Sequence, residues 1–158
     1  ATFGICVSDV AEKVTSVEEN SSSIQKAKEV LKSNNIKNVE LFAQDTLRYL
    51  KSIKKKFDII ILDPPRKGCT QEVLDEVLRH LKSNHSKAES DEILRFAQND
   101  AIAEGASKGK IIYVSCNPAT LARDLKYLTE HGAKVESIQP FDMFCHTYHI
   151  ENVAIINL

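Results

Sequence analysis

The sequence predicts an α/β protein with a doubly wound, mostly parallel sheet and an antiparallel hairpin at one edge, and three observations carry this. Short β-prone runs alternate with helix-spaced segments along most of the chain. Two of the runs, 57–62 (FDIIIL) and 110–115 (KIIYVS), are almost continuously apolar, the pattern of strands buried on both faces of a parallel sheet. The last two runs, about 133–140 and 149–157, follow each other with no helix between them.

The elements can be justified in order. Residues 14–18 (VTSVE) and 39–43 (VELFA) are strands, and between them Ile24, Ala27, Val30 and Leu31 recur at helical spacing over 21–34. A helix over 45–54 leads into the strand at 57–62, which stops at Asp63-Pro64-Pro65. Another helix covers about 70–82. The strand at 110–115 runs into Cys116-Asn117-Pro118 and a proline-started helix over 119–131. Residues 83–108 break the rhythm, since connections within such units need only a handful of residues, and they read as a solvated, flexible insertion. The whole of 1–158 is expected to form one domain, and ligands are expected at the carboxyl ends of its strands.

Composition narrows the function classes. A formal net charge of -1 gives no overall attraction to a polyanion, so any nucleic-acid affinity has to be local. Cys6, Cys69, Cys116 and Cys145 lie far apart and form no CxxC pair, which argues against a zinc ribbon or iron–sulfur cradle and suits a reducing cytoplasm. His146 and His149 are three apart but lack nearby carboxylate or thiolate partners in sequence, so no metal is expected. The chain has no apolar run of membrane-spanning length and no charged-then-apolar leader, which points to a soluble cytoplasmic protein.

The sharpest chemical signal is Cys116, on the loop leaving a buried strand. Exposed backbone amides and the positive end of the following helix favour thiolate over thiol there, although a lone cysteine can equally be a small packing residue at a strand end. Asp63 ends a strand at the carboxyl edge, where it either faces a ligand or opens a turn. Arg66 and Lys67 beside it suit phosphate or carbonyl oxygens, and equally a solvated basic turn. Glu18 ends the first strand, as an acid binding ribose hydroxyls does or as a charged strand end. Asp45 also fits the N-cap of the helix after it. Glu151, read alone, is an acid before an apolar strand.

Three motifs, SCNPATLARDL at 115–125, FDIIILDPPRKG at 57–68 and FDMFCHTYHIE at 141–151, together resemble the RNA (uracil-5-)-methyltransferases. The resemblance implies a Rossmann-like fold, S-adenosyl-L-methionine as cofactor and RNA as partner, leaning to 23S ribosomal RNA over transfer RNA. It gives Cys116 the attack on C6 of uracil and Glu151 the removal of the C5 proton. Asp63, Glu18, Asp45 and Gly4 become cofactor residues, Gly4 as the last glycine of a glycine-rich loop whose backbone amides cradle the methionine end of the cofactor, with a helix over 4–12 after it. Arg66, Asn117 and Arg123 become substrate contacts. The family's usual proline is replaced by Cys145, which implies a less rigid loop before Glu151. The resemblance further implies that the chain begins partway through the cofactor site, without the first strand, so that the sheet has a gap or a repaired pairing and a crippled cofactor site. Two competing readings are an RNA amino-methyltransferase of the DPPR type, needing no cysteine, and an inactive remnant.

Overall fold

The computed structural model describes residues 2–81, 109–143, 146–147 and 150–158; the insertion at 83–108, Cys145 and His149 lie outside them. The chain divides into two compact units, Ala1–Lys54 and Lys55–Leu158. In the first, α1 (Thr2–Cys6) precedes β1 (Val14–Glu18), α2 (Ser21–Ser33), β2 (Val39–Ala43) and α3 (Thr46–Ser52). β1 and β2 pair in parallel from Val14↔Val39 to Glu18↔Ala43. Helix α2 starts where Asn20 accepts hydrogen bonds from the amides of Ser22 and Ser23, and it buries Ile24, Ala27 and Leu31 as the spacing predicts. Asn38 ties β2 to the chain after α1, donating from Nδ2 to the carbonyls of Ser8 and Ala11 at 2.7 Å each. The expected helix over 4–12 is corrected: α1 ends at Cys6, where the Ser8 hydroxyl bonds the Ile5 carbonyl and offers the backbone a turn instead.

The second unit contains β3 (Ile59–Leu62), α4 (Gln71–His80), β4 (Lys110–Ser115), α5 (Pro118–Glu130), β5 (Lys134–Phe141) and β6 (Glu151–Asn157). Its sheet has the order β3-β4-β6-β5. β3 and β4 are parallel, and β6 runs antiparallel to both of its neighbours, which is the edge hairpin the sequence predicts. The ladder of the first unit and this one share no strand. β3 is shorter than its apolar run, because the amide of Phe57 donates to the His80 carbonyl and Phe57 bridges Leu81 instead of β4.

Alternation along the strands sorts the two faces of this sheet. Ile111, Tyr113, Ala154 and Ile156 are completely buried and sit opposite one another in register, Tyr113↔Ala154 and Ile111↔Ile156. The Tyr113 hydroxyl bonds Asp124 of α5, so this is the face that α5 covers. Each fully buried Leu or Ile here stabilises the fold by roughly 1.5–3 kcal/mol. The opposite face carries Ile59, Ile61, Ile112, Val153 and Ile155, none of them fully buried.

Candidate active site

The second unit brings three of the expected residues to one edge of one sheet. Asp63 follows the last β3–β4 pair, Leu62↔Tyr113; Cys116 follows the last β4–β6 pair, Ser115↔Asn152; and Glu151 begins β6, opposite Phe141 of β5. Because β6 is antiparallel to β4, its first residue lies at the carboxyl ends of β3 and β4. Ser115 and its partner Asn152 share the helix-covered face with Tyr113, so alternation puts Glu151 on the other, while Asp63 and Cys116 stand just past the ends of β3 and β4. The carboxylates feel each other: loss of hydration first, and the charge of Asp63 second, raise the Glu151 carboxyl above the ordinary range. A carboxylate made more basic in this way is a better proton acceptor.

The loop after Asp63 is held by α5. The Arg66 carbonyl accepts from Asn117 Nδ2 and from the Thr120 hydroxyl, both at 3.1 Å. Asp124, only 2% exposed, accepts from the Cys69 amide at 2.8 Å and the Tyr113 hydroxyl at 2.5 Å. Arg123 meets the same carboxylate with Nε at 2.8 Å, and its Nη2 donates to the carbonyls of Lys67 and Cys69. Arg123 is expected against RNA; here Nη2 holds the 66–69 loop to α5 while Nε bonds Asp124 within α5. Asn117, also expected against RNA, uses Oδ1 to cap α5 at the Ala119 amide and Nδ2 to hold the loop. The side chains of Arg66 and Lys67 are exposed at this edge.

The loop can run this close to α5 because residue 68 is glycine. Its φ is +74°, and a Cβ there would lie 2.6 Å from Asp124 Oδ2 and 2.7 Å from Arg123 Nη2. Composition did not mark Gly68, Tyr113 or Asp124 as parts of the site. One signal existed for Asp124: it falls among Leu121, Leu125 and Leu128 on the buried stripe of α5, where an acid has to find partners.

The two cysteines of this unit among the described residues differ. Cys116 is half-buried at the strand end, where the Ser115 hydroxyl accepts from the Asn117 amide and donates to the Asn117 carbonyl to shape the bend. Asn152, buried in β6, braces the same turn by donating to the Ser115 carbonyl at 3.3 Å. Cys69 sits against Tyr113 and Asp124, and burial pushes its thiol up to about 11. Cys69 is thus held mainly as a thiol at neutral pH, packed against the Tyr113–Asp124 pair.

In the first unit, Glu18 and Asp45 stand at the carboxyl ends of adjacent parallel strands. Glu18 Oε1 accepts from the Asn20 amide at 2.9 Å, and Asp45 Oδ1 caps α3 at the Arg48 amide, as the capping alternative has it. Both groups are acceptors of the kind that ribose hydroxyls and an adenine amino group need. Gly4 lies in α1, where a Cβ would crowd the side chains of Ser16 and Val14 at 3.2 and 3.3 Å, so it lets α1 approach β1. His146 adopts a positive φ of 63° and is exposed. Among the described residues no group of three or more His, Cys, Asp or Glu is placed to hold a metal, and no helix is long and apolar enough to cross a membrane.

Comparison with known proteins adds family context to this geometry. Residues 99–157 match the family described as tRNA (uracil-5-)-methyltransferase, and residues 2–103 match the methyltransferase small domain. A protein of Thermotoga maritima described as an uncharacterized RNA methyltransferase is 36% identical over 155 residues, covering 98% of this chain and 29% of the relative. One of Clostridium tetani with the same description is 35% identical over 153 residues, covering 97% of this chain and 28% of its own. The chain thus spans less than a third of the length of these curated relatives. Among solved structures, an rRNA methylase from Streptococcus thermophilus superposes with a TM-score of 0.63 at 10% identity, over 96% of this chain and 76% of that one. A putative methyltransferase from Streptococcus mutans, solved in complex with SAH, gives 0.60 at 15% identity, over 97% and 80%. These likenesses establish the Rossmann-like methyltransferase fold.

Proposed function

We propose that this chain, which belongs to the methyltransferase small domain family and is similar to proteins described as RNA methyltransferases, methylates C5 of a uridine in RNA through a covalent bond between Cys116 and C6 of the base. The observation that supports this most is the meeting of a half-buried cysteine, an aspartate and a glutamate of raised basicity at the carboxyl edge of one sheet. C5 of uracil is a weak nucleophile, so a bond has to form at C6 first. The Cys116 thiolate adds to C6, and the electron pair of the 5,6-bond moves into an enolate that makes C5 nucleophilic. S-adenosyl-L-methionine, when bound, supplies the electrophilic methyl group that C5 takes up. Glu151 then removes the C5 proton, the 5,6-bond re-forms, and the bond to Cys116 breaks to release the thiolate. Glu18 and Asp45 would hold the cofactor's ribose and adenine, with Gly4 letting α1 stand close to β1 in the same unit, and Asp63 is read as a cofactor residue of the second unit. Arg66 would meet the base carbonyls or phosphate, while Asn117 and Arg123 hold its loop in position.

Ribosomal RNA in the cytoplasm is the substrate we would test first, with transfer RNA second. The test is mass spectrometry after incubation with a 5-fluorouridine-substituted ribosomal RNA fragment and S-adenosyl-L-methionine, since fluorine at C5 blocks the final proton removal. A methylated RNA adduct on the peptide containing Cys116 is the expected result. Methyl transfer that survives Cys116→Ala would refute the mechanism and favour an amino-methyltransferase, for which a DPPR loop suffices.

A further inference from the structure

We propose that Phe141 is a stacking platform for the nucleobase that neighbours the reacting uridine, so that the enzyme selects RNA opened to a single strand at its target. This rests on the uracil-C5 reading above. The ladder puts Phe141 directly opposite Glu151, and Cys116 follows the last β4–β6 pair, Ser115↔Asn152, at the same end of the sheet. Glu151 and Phe141 therefore share one row across β6 and β5, with Cys116 at the end of β4, and β5 lies two strand spacings, about 10 Å, from β4. Directly opposed residues share a face, so Phe141 projects from the face that carries Glu151. The ring is 46% exposed, and Met143 and Ile150 beside this edge are 64% and 40% exposed. Scattered apolar residues on a surface need no explanation, but these three bracket the proposed base.

The chemistry says what such a ring would take. To reach C6, Cys116 requires the uracil out of its stack, which leaves the adjacent base without a partner on one side. An aromatic ring one row away replaces that partner. A chain with a net charge of -1 gains little from phosphate overall, so base stacking is the remaining general source of affinity.

The test uses the 158-residue protein with S-adenosyl-L-methionine and single-stranded pentaribonucleotides carrying a central 5-fluorouridine and 2-aminopurine on its 5′ or its 3′ side. Quenching reports stacking of the neighbouring base, and mass spectrometry reports the Cys116 adduct independently. We expect the wild type to quench one of the two isomers. Phe141→Ala and Phe141→Leu should each weaken binding of that isomer about tenfold and abolish the quench, while Phe141→Tyr retains both. An abasic site at the same position should bind the wild type as weakly as the normal oligonucleotide binds Phe141→Ala. Leucine serving as well as phenylalanine, or the abasic oligonucleotide binding undiminished, would overturn the proposal. So would variants that alter only the sedimentation of the protein, since a second copy would then be what covers the ring. A Cys116 adduct with binding unaffected by Phe141→Ala would remove the stacking role and leave the uracil chemistry standing. Ring-dependent quenching with no adduct would do the reverse.

Discussion

Gly68→Ala offers the most direct measure of how the 66–69 loop is held. The substitution has two separable costs. An L-residue at φ +74° loses about 1–2 kcal/mol relative to glycine. The new methyl would also lie 2.6 Å from Asp124 Oδ2 and 2.7 Å from Arg123 Nη2, and Asp124 cannot swing aside without releasing Tyr113 or the Cys69 amide. Losing one hydrogen bond to a charged group costs roughly 1.5–3 kcal/mol, which brings the expected total to about 3–5 kcal/mol. Gly132→Ala is the internal control, because Gly132 also has a positive φ, +93°, but a Cβ there meets nothing within 4 Å. It should cost only the backbone term, about 1–2 kcal/mol. Urea unfolding followed by circular dichroism would read both variants, and with m near 2 kcal/mol/M the Gly68→Ala midpoint should fall by about 2 M. Equal losses for the two variants would refute the claim that the Asp124–Arg123 network occupies the space beside Gly68.

Other expectations follow from the same geometry. Asp124→Ala should destabilise by about 3–5 kcal/mol in the same assay, since it leaves Arg123 and the Tyr113 hydroxyl without their shared acceptor. Glu151 has a raised carboxyl, so its contribution to stability is fully present below the unfolded-state value and is lost as pH rises through the folded-state value. Glu151→Gln should therefore remove that loss, stabilise the chain at neutral pH by thermal melting, and leave methylated adduct on Cys116 with ordinary uridine. Thiol mapping with iodoacetamide at pH 8 in the folded protein should label Cys116 and spare Cys69, whose thiol at about 11 is ionised in about one molecule per thousand. Rapid labelling of Cys69 would contradict its burial against Tyr113. Asn117→Ala should cost about 1 kcal/mol by uncapping α5, and should also lower activity through the released Arg66 carbonyl.

Periodicity and turn chemistry were enough for much of this protein. The strands at 14–18, 39–43 and 110–115 were legible to the residue because apolar runs end abruptly at Glu18-Glu19, Gln44-Asp45 and Cys116-Asn117. Asn117-Pro118 marked the start of α5. The resemblance to the RNA (uracil-5-)-methyltransferases, not any local pattern, pointed to Asp63, Cys116 and Glu151 as a set, although they lie far apart in the sequence. Only the tertiary structure decided that these three stand at one edge of the sheet, because that depends on the antiparallel register of β6 against β4, which no local pattern encodes. It also decided which groups are committed to structure: Arg123, Asn117 and Asp45 look on paper like free ligand-binding side chains, and hydrogen bonds to backbone atoms far along the chain or in the next turn engage them. The physical reason is the same in each case. Hydrophobic spacing is a property of neighbours in sequence, whereas the partner of a buried or capping polar group is set by which distant backbone the fold brings within 3 Å of it.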